Sequence, residues 1–161
     1  GDGIDLLSWY YLGDKNLPIL VYFHGNSFHI GDRAHRIKKY VDNNWSVLLV
    51  SWRGCGGNLG KPSEKNLYED GNAVLSWISK NTYFENKQIV IYGESLGSGV
   101  AVELGTKSKF LSIVLEAPFM SIPEVAQKRY KIFPTKYLVK DKFDNYSKID
   151  KIKSPLLIPA E

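Results

Sequence analysis

The sequence predicts an α/β fold, a doubly wound, mostly parallel sheet with helices on both faces. Three observations carry this. Four short apolar runs recur, at 19–23, 47–50, 89–92 and 113–115, each continuous and mostly β-branched or aromatic, as strands buried on both faces of a parallel sheet must be. Stripes of apolar residues at helical spacing lie between them. The chemistry-bearing residues cluster just after the runs, where an open parallel sheet binds its ligands.

In chain order, Leu6 to Leu12 adds a strand ahead of the first run, paired antiparallel at the sheet edge. The run at 19–23 is followed by Ile30, Ala34, Ile37 and Val41 at i, i+4, i+7 and i+11, one stripe able to cover a sheet face. The run at 47–50 leads through Trp52-Arg53-Gly54-Cys55-Gly56-Gly57 into a second stripe, Leu67, Val74, Leu75 and Ile78. The run at 89–92 passes into a third, Leu96, Val100, Ala101 and Leu104. Strand and helix in alternation imply right-handed βαβ units. After 113–115, Pro118, Pro123 and Pro134 interrupt any long helix, so 117–153 reads as short helices and loops. Pro155-Leu156-Leu157-Ile158 reads as one more strand.

The 161 residues, 43% apolar and 24% charged, suit a single domain spanning 1–161; a chain of ~150 residues buries about 68–70% of its unfolded surface. Two full domains are excluded. The lone cysteine, Cys55, can neither close an intrachain disulfide nor build a Cys-rich zinc site, and is compatible with a reducing compartment such as the cytoplasm. It reads as structural. No apolar run approaches the ~20 residues of a membrane-spanning helix. Gly1-Asp2-Gly3-Ile4-Asp5 is no signal peptide and has no initiator Met, so the expectation is that the start is a cut.

Gly93-Glu94-Ser95-Leu96-Gly97 fits a nucleophile elbow, a serine on a strained strand-to-helix turn whose flanking glycines let strand and helix approach. Its context raises a weak bare pattern, because it follows an apolar run and feeds a helical stripe. A structural glycine turn is the plain alternative. A phosphate loop is set aside because no Lys-Ser or Lys-Thr follows Gly97-Ser98-Gly99. His24-Gly25-Asn26 ends the first run and can aim a backbone N–H at an acyl oxygen beside the N–H of Leu96. Such an oxyanion hole is worth ~3–4 kcal/mol per donor. His24 reads as a residue that pins the loop, and His29 and His35 as solvent-facing.

Val21-Tyr22-Phe23-His24-Gly25-Asn26, the Arg53-Gly54-x-Gly56 turn, Pro62-Ser63-Glu64 and Gly93-x-Ser95-Leu96-Gly97-Ser98-Gly99-Val100-Ala101 resemble the alpha/beta-hydrolase superfamily. The branch they resemble is the small serine hydrolases with a serine-aminopeptidase-like domain, which includes protein depalmitoylases. Glu116-Ala117-Pro118-Phe119-Met120-Ser121-Ile122-Pro123, Phe133-Pro134, Lys142-Phe143-Asp144 and Lys148-Ile149 resemble the same branch, so the likeness runs through nearly the whole chain. It implies hydrolysis of an acyl ester or thioester by an acyl-enzyme route, with Ser95 as nucleophile and the N–H groups of Asn26 and Leu96 as oxyanion donors. His24, Gly25, Gly93, Gly97 and Glu116 would support them. No metal and no organic cofactor is needed, and the substrate would be a small-molecule or acylated-protein ester.

The resemblance also implies a triad Asp and His, at positions that fall beyond Glu161. The expectation is therefore a hydrolase core truncated at its C-terminus, without the final strand and helix. As this fragment it should be inactive, because a serine without its base is a poor nucleophile. An open sheet edge should also favour dimerisation or poor solubility. The alternative is a non-catalytic pseudoenzyme or binding module that retains the sheet. Glu116 ends a strand and reads as a structural hydrogen-bonder rather than a catalytic acid; Glu161 falls slightly short of the family's acid position. Ser51-Trp52 stands where the family commonly has Asp-Tyr, and Phe28 where it commonly has Gly.

Net charge is +4, and the surplus is local: 128–153 holds nine Lys or Arg against three Asp, interleaved with Tyr130, Phe133, Tyr137, Phe143 and Tyr146. A solvated lysine-rich surface is the plain reading of this cap-like 117–153 insertion. Peripheral membrane contact, at ~1 kcal/mol per cation near an anionic surface, or reception of an acyl chain stands second, and nucleic acid is disfavoured.

Overall fold

The computed structural model describes residues 3–26, 29–129 and 139–159. Its strands are β1 (Ser8–Tyr11), β2 (Ile19–Phe23), β3 (Ser46–Val50), β4 (Ile89–Glu94), β5 (Ser112–Glu116) and β6 (Leu156–Leu157). The helices are α1 (Ala34–Asp42), α2 (Glu64–Asn81), α3 (Leu96–Lys107) and α4 (Ile122–Arg129). The strands form a mostly parallel sheet in the order β1-β3-β2-β4-β5-β6, with β1 antiparallel on β3 at one edge.

Every residue of β2 and β3 is buried, as their unbroken apolar runs require. Alternate side chains go to opposite faces. One face packs Ile19, Val21, Phe23, Ile91 and Leu115 against Leu67, Val74 and Ile78 of α2 and Val100 and Leu104 of α3. The other packs Leu20, Tyr22, Leu49 and Val90 against Ile30 and against Ile37 of α1. The sheet is therefore doubly wound.

Two local expectations are corrected. The run in β5 was expected to be buried on both faces, but only Ile113 and Leu115 are, while Ser112, Val114 and Glu116 are half-exposed. The cover on that face comes from Ile30 and α1, which pack on side chains of β2, β3 and β4 and meet Val114 only in part. The first helical stripe also does not start as an α-helix. Ile30–Arg33 forms a 3-10 turn capped by the His29 side chain, whose Nδ1 accepts the Gly31 N–H at 2.8 Å. The tighter winding shifts the stripe, leaving Ala34 exposed.

The helices that carry the sheet are set by specific residues. The Ser63 hydroxyl accepts the Asn66 N–H at 3.2 Å and caps α2. Gly71 of α2 lets α3 come close, since a Cβ there would lie 2.7 Å from Val100 Cγ1. Arg53 and Asp70, both buried, pair beneath the turn after β3. In the 117–153 region the described residues do form short helical pieces and loops. Phe143, 3% exposed, plugs the chain against Gly99, Tyr68 and Phe119. Among the described residues, no helix is long and apolar enough to cross a membrane.

Candidate active site

Ser95 stands alone between the last residue of β4 and the first of α3, with φ 47° and ψ −110°. These dihedrals suit the first central position of a type II′ turn, where glycine is the ordinary occupant. A serine held there is strained by ~1–3 kcal/mol. Its surroundings enforce the conformation. The Ser95 N–H donates to Glu116 O at 2.9 Å, and the Ser98 N–H and hydroxyl both donate to Ser95 O, at 2.9 and 2.6 Å. A Cβ on Gly97 would lie 2.0 Å from Phe23 O, and one on Gly93 would lie 2.6 Å from Gly97 O. Strand, helix and the neighbouring strand end thus meet at distances only glycine permits. The Ser95 side chain is half-buried, and its hydroxyl has no hydrogen-bond partner among the described residues.

The turn after β2 abuts this elbow. A Cβ on Gly25 would lie 3.3 Å from Ser95 Cβ and 3.2 Å from Glu94 Oε1. Asn26 follows, exposed. Leu96 opens α3, where the first N–H groups of a helix lack intrahelical partners and face outward with the positive end of its dipole. Phe28 and its effect on this loop lie outside the described residues.

His24 is fully buried. Burial pushes its pKa down, so the ring is neutral. Nδ1 lies 2.6 Å from Gly25 O, which assigns the proton to Nδ1 and leaves Nε2 a buried acceptor without a partner among the described residues. The Trp52 indole N–H donates to His24 O at 3.0 Å and its ring stacks on Phe23 at 5.4 Å, so the Trp at this position buttresses the turn. His29 is used as a cap, and His35 lies exposed on α1. Cys55 is half-buried, and burial pushes its thiol up, away from the reactive thiolate.

Two carboxylates flank the elbow. Glu94 and Glu116 are register partners on β4 and β5. Arg33 grips Glu94 with two bonds, Nε to Oε2 at 2.6 Å and Nη2 to Oε1 at 2.7 Å, and the Tyr22 hydroxyl donates to the same carboxylate at 2.8 Å. Arg36 reaches both oxygens of Glu116 through Nη1 alone, at 2.6 Å each, and the Tyr92 hydroxyl donates to the same carboxylate. Tyr22 and Tyr92 stack at 4.6 Å. Burial alone would raise both carboxyls, but the bonds from Arg33 and Tyr22, and from Arg36 and Tyr92, outweigh it and hold each below its ordinary range. Burial and the adjacent carboxylate push both tyrosines up, so they stay protonated donors.

Sequence reasoning singled out Glu116 but missed Glu94, Arg33, Arg36, Tyr22 and Tyr92. A signal was present. Strand alternation puts Tyr22, Tyr92, Glu94 and Glu116 on one face, and Arg33 and Arg36 stand one turn apart over it.

Two cavities open elsewhere on the surface, one of about 380 Å³ beside Arg36 and Glu116 and one of about 1240 Å³ between the N-terminal strand and α2. Neither is lined by Ser95. Part of the basic segment's charge is used internally: Lys148 Nζ pairs with Glu103 at 2.7 Å, and Asp141 accepts the Glu64 N–H at 2.9 Å. Residues 130–138 and Glu161 lie outside the described residues. Among the described residues, no group of three or more His, Cys, Asp or Glu could hold a metal.

A family model described as serine aminopeptidase, S33 matches residues 14–153. The uncharacterized protein Rv2307c of Mycobacterium tuberculosis is 34% identical over 164 residues, covering 99% of this chain and 57% of that protein. Alpha/beta hydrolase domain-containing protein 17B of Xenopus laevis is 34% identical over 142 residues, covering 86% of this chain and 47% of its own. The chain thus spans about half the length of these relatives. A crystal structure of an alpha-beta hydrolase from Vibrio vulnificus superposes with a TM-score of 0.84 at 21% identity, over 98% of this chain and 60% of that one.

Proposed function

The chain belongs to the serine aminopeptidase S33 family of the alpha/beta-hydrolase superfamily, and from that premise we propose that the protein hydrolyses an acyl ester or thioester through an acyl-enzyme on Ser95. One observation carries the reading. Ser95 is held at φ 47° on a turn between β4 and α3, a strained arrangement that adds nothing to packing but presents a hydroxyl at the carboxyl end of the sheet.

The chemistry follows in two halves. A base takes the Ser95 proton as Oγ attacks the acyl carbon, and negative charge develops on the acyl oxygen. The N–H groups of Asn26 and Leu96 donate to that oxygen as it charges, which lowers the barrier to the tetrahedral intermediate. The leaving alcohol or thiol departs with a proton, and water repeats the sequence on the acyl-enzyme. No described residue bonds the Ser95 hydroxyl. His24 is buried with its Nδ1–H donated to Gly25 O, and His29 is spent on a cap. The 161-residue chain alone is therefore proposed to have no more than trace activity, the base coming from the full-length protein.

The test uses the full-length gene product with a short-chain p-nitrophenyl ester and a fluorophosphonate probe. Hydrolysis and probe labelling that both vanish in Ser95→Ala support the reading. A well-folded full-length protein with neither would overturn it in favour of a non-catalytic module.

A further inference from the structure

The two oxyanion donors assigned above sit on different elements, and this inference rests on that assignment. Leu96 is fixed by α3. Asn26 lies beyond the end of β2, whose pairing with β4 stops at Phe23 and Gly93. His24, Gly25 and Asn26 therefore stand beyond that ladder, with the Trp52 indole N–H holding His24 O from one side. Further along the chain is the 3-10 turn Ile30–Arg33, and its last residue reaches back to Glu94, the residue next to Ser95.

We propose that Arg33 is a positioning residue, whose bidentate ion pair with Glu94 clamps the turn carrying Asn26 against the elbow carrying Ser95 and Leu96 and so sets the spacing of the two oxyanion donors. The geometry around the carboxylate fits this task. Glu94 takes two bonds from Arg33 and one from Tyr22 of β2, and its Oε1 lies where a Cβ on Gly25 would meet it at 3.2 Å. One carboxylate thus bonds Tyr22 of the strand before the turn and Arg33 of the 3-10 turn that follows in the chain, with Gly25 close beside it. Side-chain exposures of 18% and 12% keep water from loosening the pair. The planar fork matters as much as the charge. Two parallel bonds fix the direction of the guanidinium and hence of the 3-10 turn, whereas an ammonium would attract without aiming. The neighbouring Arg36–Glu116 pair is more open, at 36% and 27%, and makes no such contact with Gly25. Donor aim is worth this investment because a misplacement of about 1 Å can cost ~100-fold in rate.

The experiment compares the full-length protein with its Arg33→Ala and Arg33→Lys variants in p-nitrophenyl ester hydrolysis, and follows amide hydrogen exchange of residues 24–26. The expected result is a kcat lowered about 10-fold or more in Arg33→Ala with KM within about twofold, partial recovery in Arg33→Lys, and faster exchange at 24–26. An unchanged kcat, or a fall that tracks only the loss of folded protein, overturns the proposal. Should Arg33→Ala not fold, Glu94→Gln keeps the side chain's size while removing its charge, and carries the same expectation. A folded wild-type protein that neither hydrolyses the ester nor takes the fluorophosphonate probe refutes the hydrolase reading alone. The exchange rates then still decide the clamp, and equal rates in wild type and Arg33→Ala overturn it.

Discussion

Replacing Ser95 by glycine should stabilise the protein while removing its nucleophile. The argument is a balance of two costs. At φ 47° and ψ −110° the Ser95 Cβ stores ~1–3 kcal/mol of strain that glycine does not feel. Against this, glycine gains ~0.5–1 kcal/mol of chain entropy when unfolded. The Ser95 hydroxyl contributes no hydrogen bond among the described residues, so nothing further is lost. The net gain is about 1 kcal/mol, which raises Tm by ~2–4 °C in a chain of this size. Ser95→Ala is the control, since alanine keeps the Cβ and therefore the strain and should stay within ~0.5 kcal/mol of wild type. Both variants lack the hydroxyl, so loss of chemistry cannot separate them. Urea unfolding of the full-length protein, with the denaturant slope unchanged, reads the difference directly. A Ser95→Gly variant no more stable than Ser95→Ala would refute the claim that the elbow is strained.

Gly97→Ala should cost about 3 kcal/mol or more, because the new Cβ meets the immobile backbone of Phe23 at 2.0 Å; Gly57→Ala, with nothing within 4 Å but φ +90°, should cost only ~1 kcal/mol, and equal losses in urea unfolding would contradict this. Acid stability carries the third prediction. The folded Glu94 and Glu116 carboxyls lie below their ordinary value of 4.5, so their stabilisation is complete above that value and is lost as pH falls through the depressed folded values. Removing Arg33 lets the Glu94 carboxyl rise, so Arg33→Ala should show a shallower loss of unfolding free energy between about pH 5 and pH 3 than wild type, and superimposable profiles would show that the pair does not set the shift.

How much of this was legible in the sequence depends on the range of the interaction. The runs at β2, β3 and β4 declare themselves because the middle of a strand buried on both faces is an unbroken apolar run, and the elbow declares itself because Gly93, Ser95 and Gly97 sit on one continuous stretch. The antiparallel β1 is likewise readable from a short aromatic run ahead of β2. The half-exposure of Val114 is not, since it depends on how far α1 reaches across the sheet. Nor is the Arg33–Glu94 clamp, whose partners stand 61 residues apart. Its recognition needs the strand order β3-β2-β4, and crossover patterns alone do not specify which strands become neighbours.

The two faces of the sheet divide the work at the carboxyl end. On the face beneath α2 and α3, apolar side chains continue to the last strand residues, with Phe23 and Leu115 still buried. On the face beneath α1, three strands change character along their length: Leu20 gives way to Tyr22, Val90 to Tyr92 and Glu94, and Val114 to Glu116. An apolar continuation would hold α1 at least as firmly, since half-buried ion pairs seldom outperform hydrophobic packing of the same volume. What apolar packing does not supply is direction. A methyl group in a core is indifferent to rotation, whereas the guanidinium of Arg33 meets Glu94 through two bonds at 2.6 and 2.7 Å and has one orientation in which both form. The switch from Leu and Val to Tyr and Glu occurs at the level of Ser95, where direction matters to chemistry, and not lower in the sheet, where only cohesion is needed. The ionic layer is thus best understood as a device for aiming the loops above the strands, built on a sheet whose stability comes from elsewhere.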